Sequence, residues 1–242
     1  FNHTCYNLES GERLSAREGT KNDKKRIKSY FKSISFQVRV FKDPTYLEIQ
    51  DALNAYAKNK VNYDCLVCFF LTHGAMNKLY AYDRSYEIDH ILIPFIADNE
   101  EKTDGKPKIF VLNACQNTSF GFNPYDARFE EKILKRMCIP ESHVLVALSA
   151  APGFVSLRNT RDGAFFIDYF LETLRMTKES NKKKDIHKIL EKAYKHMEKD
   201  QKDYTGMFVH LLECEFNPTM GQCPAYVSTL TKFLDLHRNL RS

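Results

Sequence analysis

Tryptophan is absent from the 242 residues, and glycine and proline are scarce, at nine and eight. So few chain-breaking residues exclude a Gly/Ser-rich linker, a collagen-like repeat or a proline-rich low-complexity tract. Long apolar runs are also missing. The longest, Cys65–Leu71, is strand-sized, far short of the roughly 18–20 residues that a membrane span needs. No secretory leader is visible, and the chain opens Phe1-Asn2-His3 without Met, which reads as a fragment or a processed form. The seven cysteines are neither dense nor even in number, unlike a secreted disulfide scaffold, so reduced thiols and a cytoplasmic location are expected. An excess of one charge sign is lacking too: 36 Lys and Arg against 31 Asp and Glu leave +5. The densest basic stretch, Lys182 to Lys202, is interleaved with Asp185, Glu191, Glu198 and Asp200. It reads as a solvated helix face, so neither nucleic acid nor membrane is expected as a partner.

What is present is a sizeable apolar fraction, 43% of the chain, enough for one large domain or two small ones. Cys65–Thr72, Lys108–Asn113 and His143–Ser149 are near-continuous apolar runs, the pattern of strands buried on both faces of a parallel sheet. Phe36–Val40, Met207–Cys214 and Ala225–Leu230 are further strand candidates. Between them lie helical patterns. Thr45 and Glu48 form a capping box ahead of Ile49, Leu53 and Tyr56. Ile27, Tyr30 and Phe31 mark one helix, Phe166, Tyr169, Phe170 and Leu174 another, and Ile186, Ile189, Leu190, Ala193 and Met197 a third. Strands alternating with helices define an α/β class, a mostly parallel central sheet with helices on both faces.

Ligands of open α/β sheets bind beyond the carboxyl ends of the strands. After the first buried run comes His73-Gly74, and after the second Ala114-Cys115. A thiol and an imidazole at neighbouring strand tips suit nucleophilic catalysis, since the thiolate is the reactive form and His takes its proton. Gly74 leaves room for a backbone N–H to face a developing oxyanion. The one C-x-x-C, Cys65 to Cys68, lies within a strand-like run. An offset of three there puts the two thiols on opposite faces, which makes them core rather than a redox or zinc pair.

Asn113-Ala114-Cys115-Gln116-Asn117 partly matches the Q-A-C-[RQG]-G signature of the caspase nucleophile. Ala16–Thr20 (ARxGT), Thr72-His73-Gly74, the GKPKIFVLNAC stretch, Ser149–Asn159, Arg161–Ile167 and the final CPAYVSTLTKFL follow in the family's order and spacing. The chain thus resembles a caspase catalytic domain of the effector type over almost its whole length. The resemblance implies a caspase-like sandwich with a large-subunit region at 1–116, an inter-subunit linker at 117–139 and a small-subunit region at 140–242. It implies Cys115 as nucleophile, His73 as general acid and base, and Gly74 with Cys115 as oxyanion donors. Arg17, Asn113 and Arg158 match the pocket for a substrate aspartate, and Ser156, Leu157, Asn159 and Phe165 further substrate contacts. Asp126 would be the processing site, and another caspase or a second copy the dimer partner through Ala225–Leu230. No metal or organic cofactor is implied.

The sequence departs from the family at defined positions. Asn113 replaces Gln and shortens its arm by one methylene, Asn117 replaces Gly, Leu157 a Trp, and Val155 an aromatic. Two functions follow as expectations: an endopeptidase cleaving after aspartate in an apoptosis-type cascade, or an impaired homologue that binds and regulates an active caspase.

Overall fold

Strands that are apolar on both faces need a covering layer on each, and the helices supply two. The computed structural model describes residues 1–58, 60–96, 105–117, 143–180, 183–208 and 222–237. In chain order the elements are α1 (Thr20–Ser33), α2 (Tyr46–Ala57), β1 (Leu66–Leu71), β2 (Gly74–Ala75), β3 (Lys78–Tyr80), β4 (Ser85–Glu87), α3 (Asp89–Ile96), β5 (Lys108–Asn113), β6 (Val144–Leu148), β7 (Arg158–Asn159), β8 (Gly163–Ala164), α4 (Phe165–Glu179), α5 (Ile186–Phe208) and β9 (Ala225–Ser228). The main sheet runs β1-β5-β6-β9, the first three parallel and β9 antiparallel at the edge. Alternate residues point to opposite layers. Ile109, Val111, Leu145 and Ala147 pack with α1, α4 and α5, while Phe110, Leu112, Val146 and Leu148 pack with α2 and α3.

The expected helices are present, with their predicted faces inward. Ile27, Tyr30 and Phe31 are buried in α1, and Ile186, Ile189, Leu190, Ala193 and Met197 in α5. The Thr45–Glu48 capping box closes reciprocally at the start of α2. Cys65 joins one core layer and Cys68 the other, and burial pushes both thiols up to about 12, so they are inert packing residues. Helix α3 was not legible, because DHILIPFI is apolar nearly throughout and contains Pro94, leaving no 3.6-residue period to read.

Phe36–Val40, expected as a strand, pairs with nothing among the described residues. Asn2 bridges Lys42 on one side and Leu71 on the other, both in parallel, and holds the two segments apart. A cavity of about 400 Å³, lined by Phe36, Val38, Val40, Val67 and Phe69 among others, separates the stretch from β1. Of Met207–Cys214, the first two residues end α5 and the rest lie outside the described residues, as do all but Asn117 of the linker at 117–139 and the candidate processing residue Asp126. Ala225–Leu230 forms β9 over its first four residues. The strand is fastened to α5 by a side-chain chain from Asp185 through His187 to Ser228 Oγ, the last link at 2.7 Å. Among the described residues no helix is long and apolar enough to cross a membrane, and no group of three or more His, Cys, Asp or Glu could hold a metal ion.

Burial also builds in acid sensitivity. His3 is fully buried, its Nε2 donating to the Pro44 carbonyl at 3.1 Å, and burial pulls it down to about 4. The unfolded chain takes up a proton near pH 6.5 that the folded chain refuses until about 4, so the stabilisation is complete above that window and lost as pH falls through it. His3 contributes on the order of 3 kcal/mol to this loss. Denaturant midpoints measured at pH 7 and 4.5 are expected to differ less in His3→Gln than in the parent.

Candidate active site

The register of β1 against β5 sets the geometry. Leu71 lies opposite Asn113, and Thr72 N–H donates to the Asn113 carbonyl at 3.3 Å, so His73-Gly74 and Ala114-Cys115 leave the same edge of the sheet side by side. A Cβ built on Gly74 would come within 2.4 Å of the Cys115 carbonyl oxygen, so glycine is required for this close approach. Tyr80 N–H donates to the His73 carbonyl at 3.1 Å, which makes Gly74–Leu79 a non-hydrogen-bonded pair of the β2–β3 ladder. Gly74 N–H therefore faces away from β3.

His73 Nε2 lies 2.9 Å from the Ser15 carbonyl. A carbonyl only accepts, so the ring proton sits on Nε2 and Nδ1 keeps its lone pair. Burial, reinforced by the Arg17 and Arg158 charges, pulls His73 down to about 4, so the imidazole is neutral at neutral pH. Cys115 is half-buried, and the Ser156 N–H points at its sulfur from 3.4 Å, a contact that favours negative charge there.

Arg17 precedes α1, and Arg158 opens β7. They adjoin because Gly19, at φ +81°, lets the loop ahead of α1 press onto β7: a Cβ there would lie 2.6 Å from the Asn159 carbonyl oxygen. Arg17 is 5% exposed, and its hydrogen bond is a weak one from Nη1 to Thr20 Oγ1 at 3.3 Å. Arg158 Nη1 is buried with no hydrogen-bond partner. Among the described residues no carboxylate reaches salt-bridge distance of either. Burial holds both guanidinium groups below their usual range, Arg17 at about 10, and the Arg158 charge lowers Arg17 further. Asp23, and for Arg158 also Glu18, offset this charge only from beyond salt-bridge distance, so the pair gains from an anion that arrives within hydrogen-bonding reach.

Asn113 is buried, its Oδ1 within 3.5 Å of Ser156 Oγ, and it makes no hydrogen bond to either arginine. Ser149 Oγ reaches Ser156 Oγ at 2.8 Å, and Ala114 N–H donates to Ser149 Oγ at 3.2 Å, so Ser149 ties the thiol-bearing turn to the arginine-bearing loop. Leu157 is held at both backbone groups, its N–H by Gln222 Oε1 at 3.0 Å and its carbonyl by Phe165 N–H at 3.4 Å. Asn159 shapes a turn instead, its Oδ1 accepting from Arg161 N–H at 2.8 Å. Left-handed non-glycine positions among the described residues are Ser35, Asp43, Asn77 and His143, so Asn117 needs no special backbone there.

The structure thus brings His73, Gly74, Cys115, Arg17, Arg158, Asn113 and Ser156 to one edge of the sheet, with Leu157 and Phe165 flanking it. Sequence reasoning missed Tyr6, Ser15, Ser149 and Gln222. Ser15 acts through its carbonyl, which carries no side-chain signature. Gln222 is 5% exposed and also donates through Nε2 to the Ser149 carbonyl at 2.7 Å, a contact across 73 residues that no local pattern encodes.

An α/β sandwich with a thiol and an imidazole at adjacent strand tips is the architecture of a cysteine-peptidase class, and comparison with known proteins specifies the family. The family model described as the caspase domain matches residues 1–235, and the chain belongs to that family. Caspase drICE of Drosophila melanogaster is 33% identical over 69% of this chain and 50% of its own length, and Caspase-1 of Spodoptera frugiperda 32% over 72% and 59%. Caspase-6 of Gallus gallus is 28% identical over 93% of this chain and 75% of its own. The chain therefore spans about half to three-quarters of the length of these relatives. The crystal structure of Caspase-1 from Spodoptera frugiperda superposes with a TM-score of 0.75, at 28% identity, covering all of this chain and 89% of that one.

Proposed function

We propose that the chain is a cysteine endopeptidase that cleaves after aspartate. The single observation that carries this reading is the pair of guanidinium groups of Arg17, buried, and Arg158, half-buried with its Nη1 unpartnered, which form no ion pair among the described residues and lie within electrostatic reach of the Cys115 thiol and the His73 imidazole. An incoming carboxylate would relieve such a pair at close range, and the planar fork of each arginine matches it. A neutral isostere would leave the cations unpaired and be rejected.

The chemistry follows from the tautomer. His73 Nδ1 takes the Cys115 proton, and the thiolate attacks the carbonyl carbon of the aspartyl residue. The Gly74 and Cys115 N–H groups hold the oxyanion, protonated His73 gives its proton to the leaving amine, and water hydrolyses the thioester. A neutral imidazole at rest fits the role of base. Once the substrate carboxylate neutralises the two arginines, less opposes a positive charge on the ring, so aspartate binding itself favours the protonated form that the second half-step needs.

The same reading treats residues 1–116, 117–139 and 140–242 as large-subunit region, linker cut after Asp126, and small-subunit region. It also includes pairing through β9 with a second copy or another caspase, since an edge strand offers unpaired backbone groups, and action in the cytoplasm within an apoptosis-type cascade. Purified protein is expected to turn over peptides ending in Asp and to ignore those ending in Asn, and a thiol-reactive probe carrying Asp is expected to label Cys115. Absence of both, combined with stimulation of an active caspase on mixing, would replace the protease by a regulator.

A further inference from the structure

Tyr6 packs beside the His73 imidazole, within electrostatic reach of the two guanidinium groups. Its ring centroid is 5.2 Å from that of His73, and its phenol is near enough to both arginines to influence their ionisation. The hydroxyl belongs to a directed chain. Thr72 Oγ1 lies 2.5 Å from the Tyr80 carbonyl, which can only accept, so the threonine proton is committed there. Tyr6 OH, 3.0 Å from Thr72 Oγ1, therefore donates to it, and its lone pair takes the His73 N–H at 3.0 Å. Tyr80 N–H in turn holds the His73 carbonyl at 3.1 Å. The peptide planes before and after His73 are both fixed, the first by Tyr6.

We propose that Tyr6 is a positioning residue whose hydroxyl fixes the backbone carrying His73 and Gly74, and thereby sets the imidazole against the Cys115 thiol. The inference rests on the protease reading above and assigns a task to a side chain outside the set that the sequence picked out. Phenylalanine at position 6 would keep the ring against His73 but leave the His73 N–H without its acceptor, in a pocket where an unmade hydrogen bond is expensive. The strand tip would then relax, and the imidazole with it.

The test is the alkylation of Cys115 by iodoacetamide, read on its own peptide by mass spectrometry, with the exposed Cys5 and Cys223 as internal controls. In Tyr6→Phe the rate at Cys115 is expected to fall about tenfold near pH 6.5 and to converge with the parent near pH 9.5, where the thiolate forms without help. The controls should not change. In peptide turnover, kcat should fall by a similar factor with KM within about twofold. Thr72→Val, which removes the acceptor of the Tyr6 hydroxyl and leaves Tyr6 in place, should lower the rate several-fold and carries the test if Tyr6→Phe fails to fold. An unchanged Cys115 alkylation profile in a folded variant overturns the proposal and leaves the protease reading intact. Should the parent alkylate at Cys115 but cleave no Asp-ending peptide, the protease reading falls, and the alkylation profiles alone decide the role of Tyr6.

Discussion

Arg17→Met is expected to lower kcat/KM for an Asp-ending peptide by about three orders of magnitude while making the protein more stable. The two effects share one cause. Arg17 is buried and forms no ion pair with a carboxylate among the described residues, and its like-charged neighbour Arg158 adds repulsion. Methionine fills a similar volume without the desolvation cost of a cation, so folding gains about 1 kcal/mol, roughly 2–4 °C in melting temperature for a chain of this size. Catalysis loses the fork that receives the substrate carboxylate, and half of the charge that rewards aspartate over asparagine. The preference between Asp-ending and Asn-ending peptides should narrow accordingly. A fall in stability with unchanged selectivity would make Arg17 an ordinary structural cation and remove the main support for the proposed specificity.

Cys115→Ala is expected to abolish turnover, a loss of at least about 10⁴-fold, with little change in melting temperature. The thiol is half-buried, and its contacts with the Ser156 backbone, at 3.4 and 3.8 Å, are long, so its removal opens little space and costs little there. His73 and the arginines would remain in place, so the variant should still bind an Asp-ending aldehyde or peptide through the cation pair, though without covalent capture. Measurable binding with no turnover separates chemistry from recognition. Residual cleavage at parental rates would require another nucleophile. Among the described thiols, Cys65 and Cys68 are excluded by burial and their raised ionisation, and neither Cys5 nor Cys223 follows a strand beside His73.

Much of the architecture was legible because it obeys local rules. A period of 3.6 residues fixed α1, α4 and α5, the capping box fixed the start of α2, and uninterrupted apolar runs marked β1, β5 and β6. The offset between Cys65 and Cys68 correctly assigned them to opposite layers. Phe36–Val40 misled for a complementary reason. Its composition is strand-like, but pairing is a property of two segments, and Asn2 occupies the place where the ladder would close. The apolar α3 carried no periodic contrast at all.

The order of the motifs and the types of residue at the strand tips were determined by the sequence alone: a histidine and a cysteine each following a buried run, with arginines in recognisable surroundings. Only the tertiary structure decided what those residues face. Hydrogen bonding to a backbone carbonyl, which leaves no trace in residue identity, chose the His73 tautomer. The two cations adjoin because glycine at position 19 lets distant loops touch, with Arg17 buried and no described carboxylate in an ion pair with either. Long-range contacts of this kind depend on which surfaces the folded layers bring together, and no window of neighbouring residues contains that information.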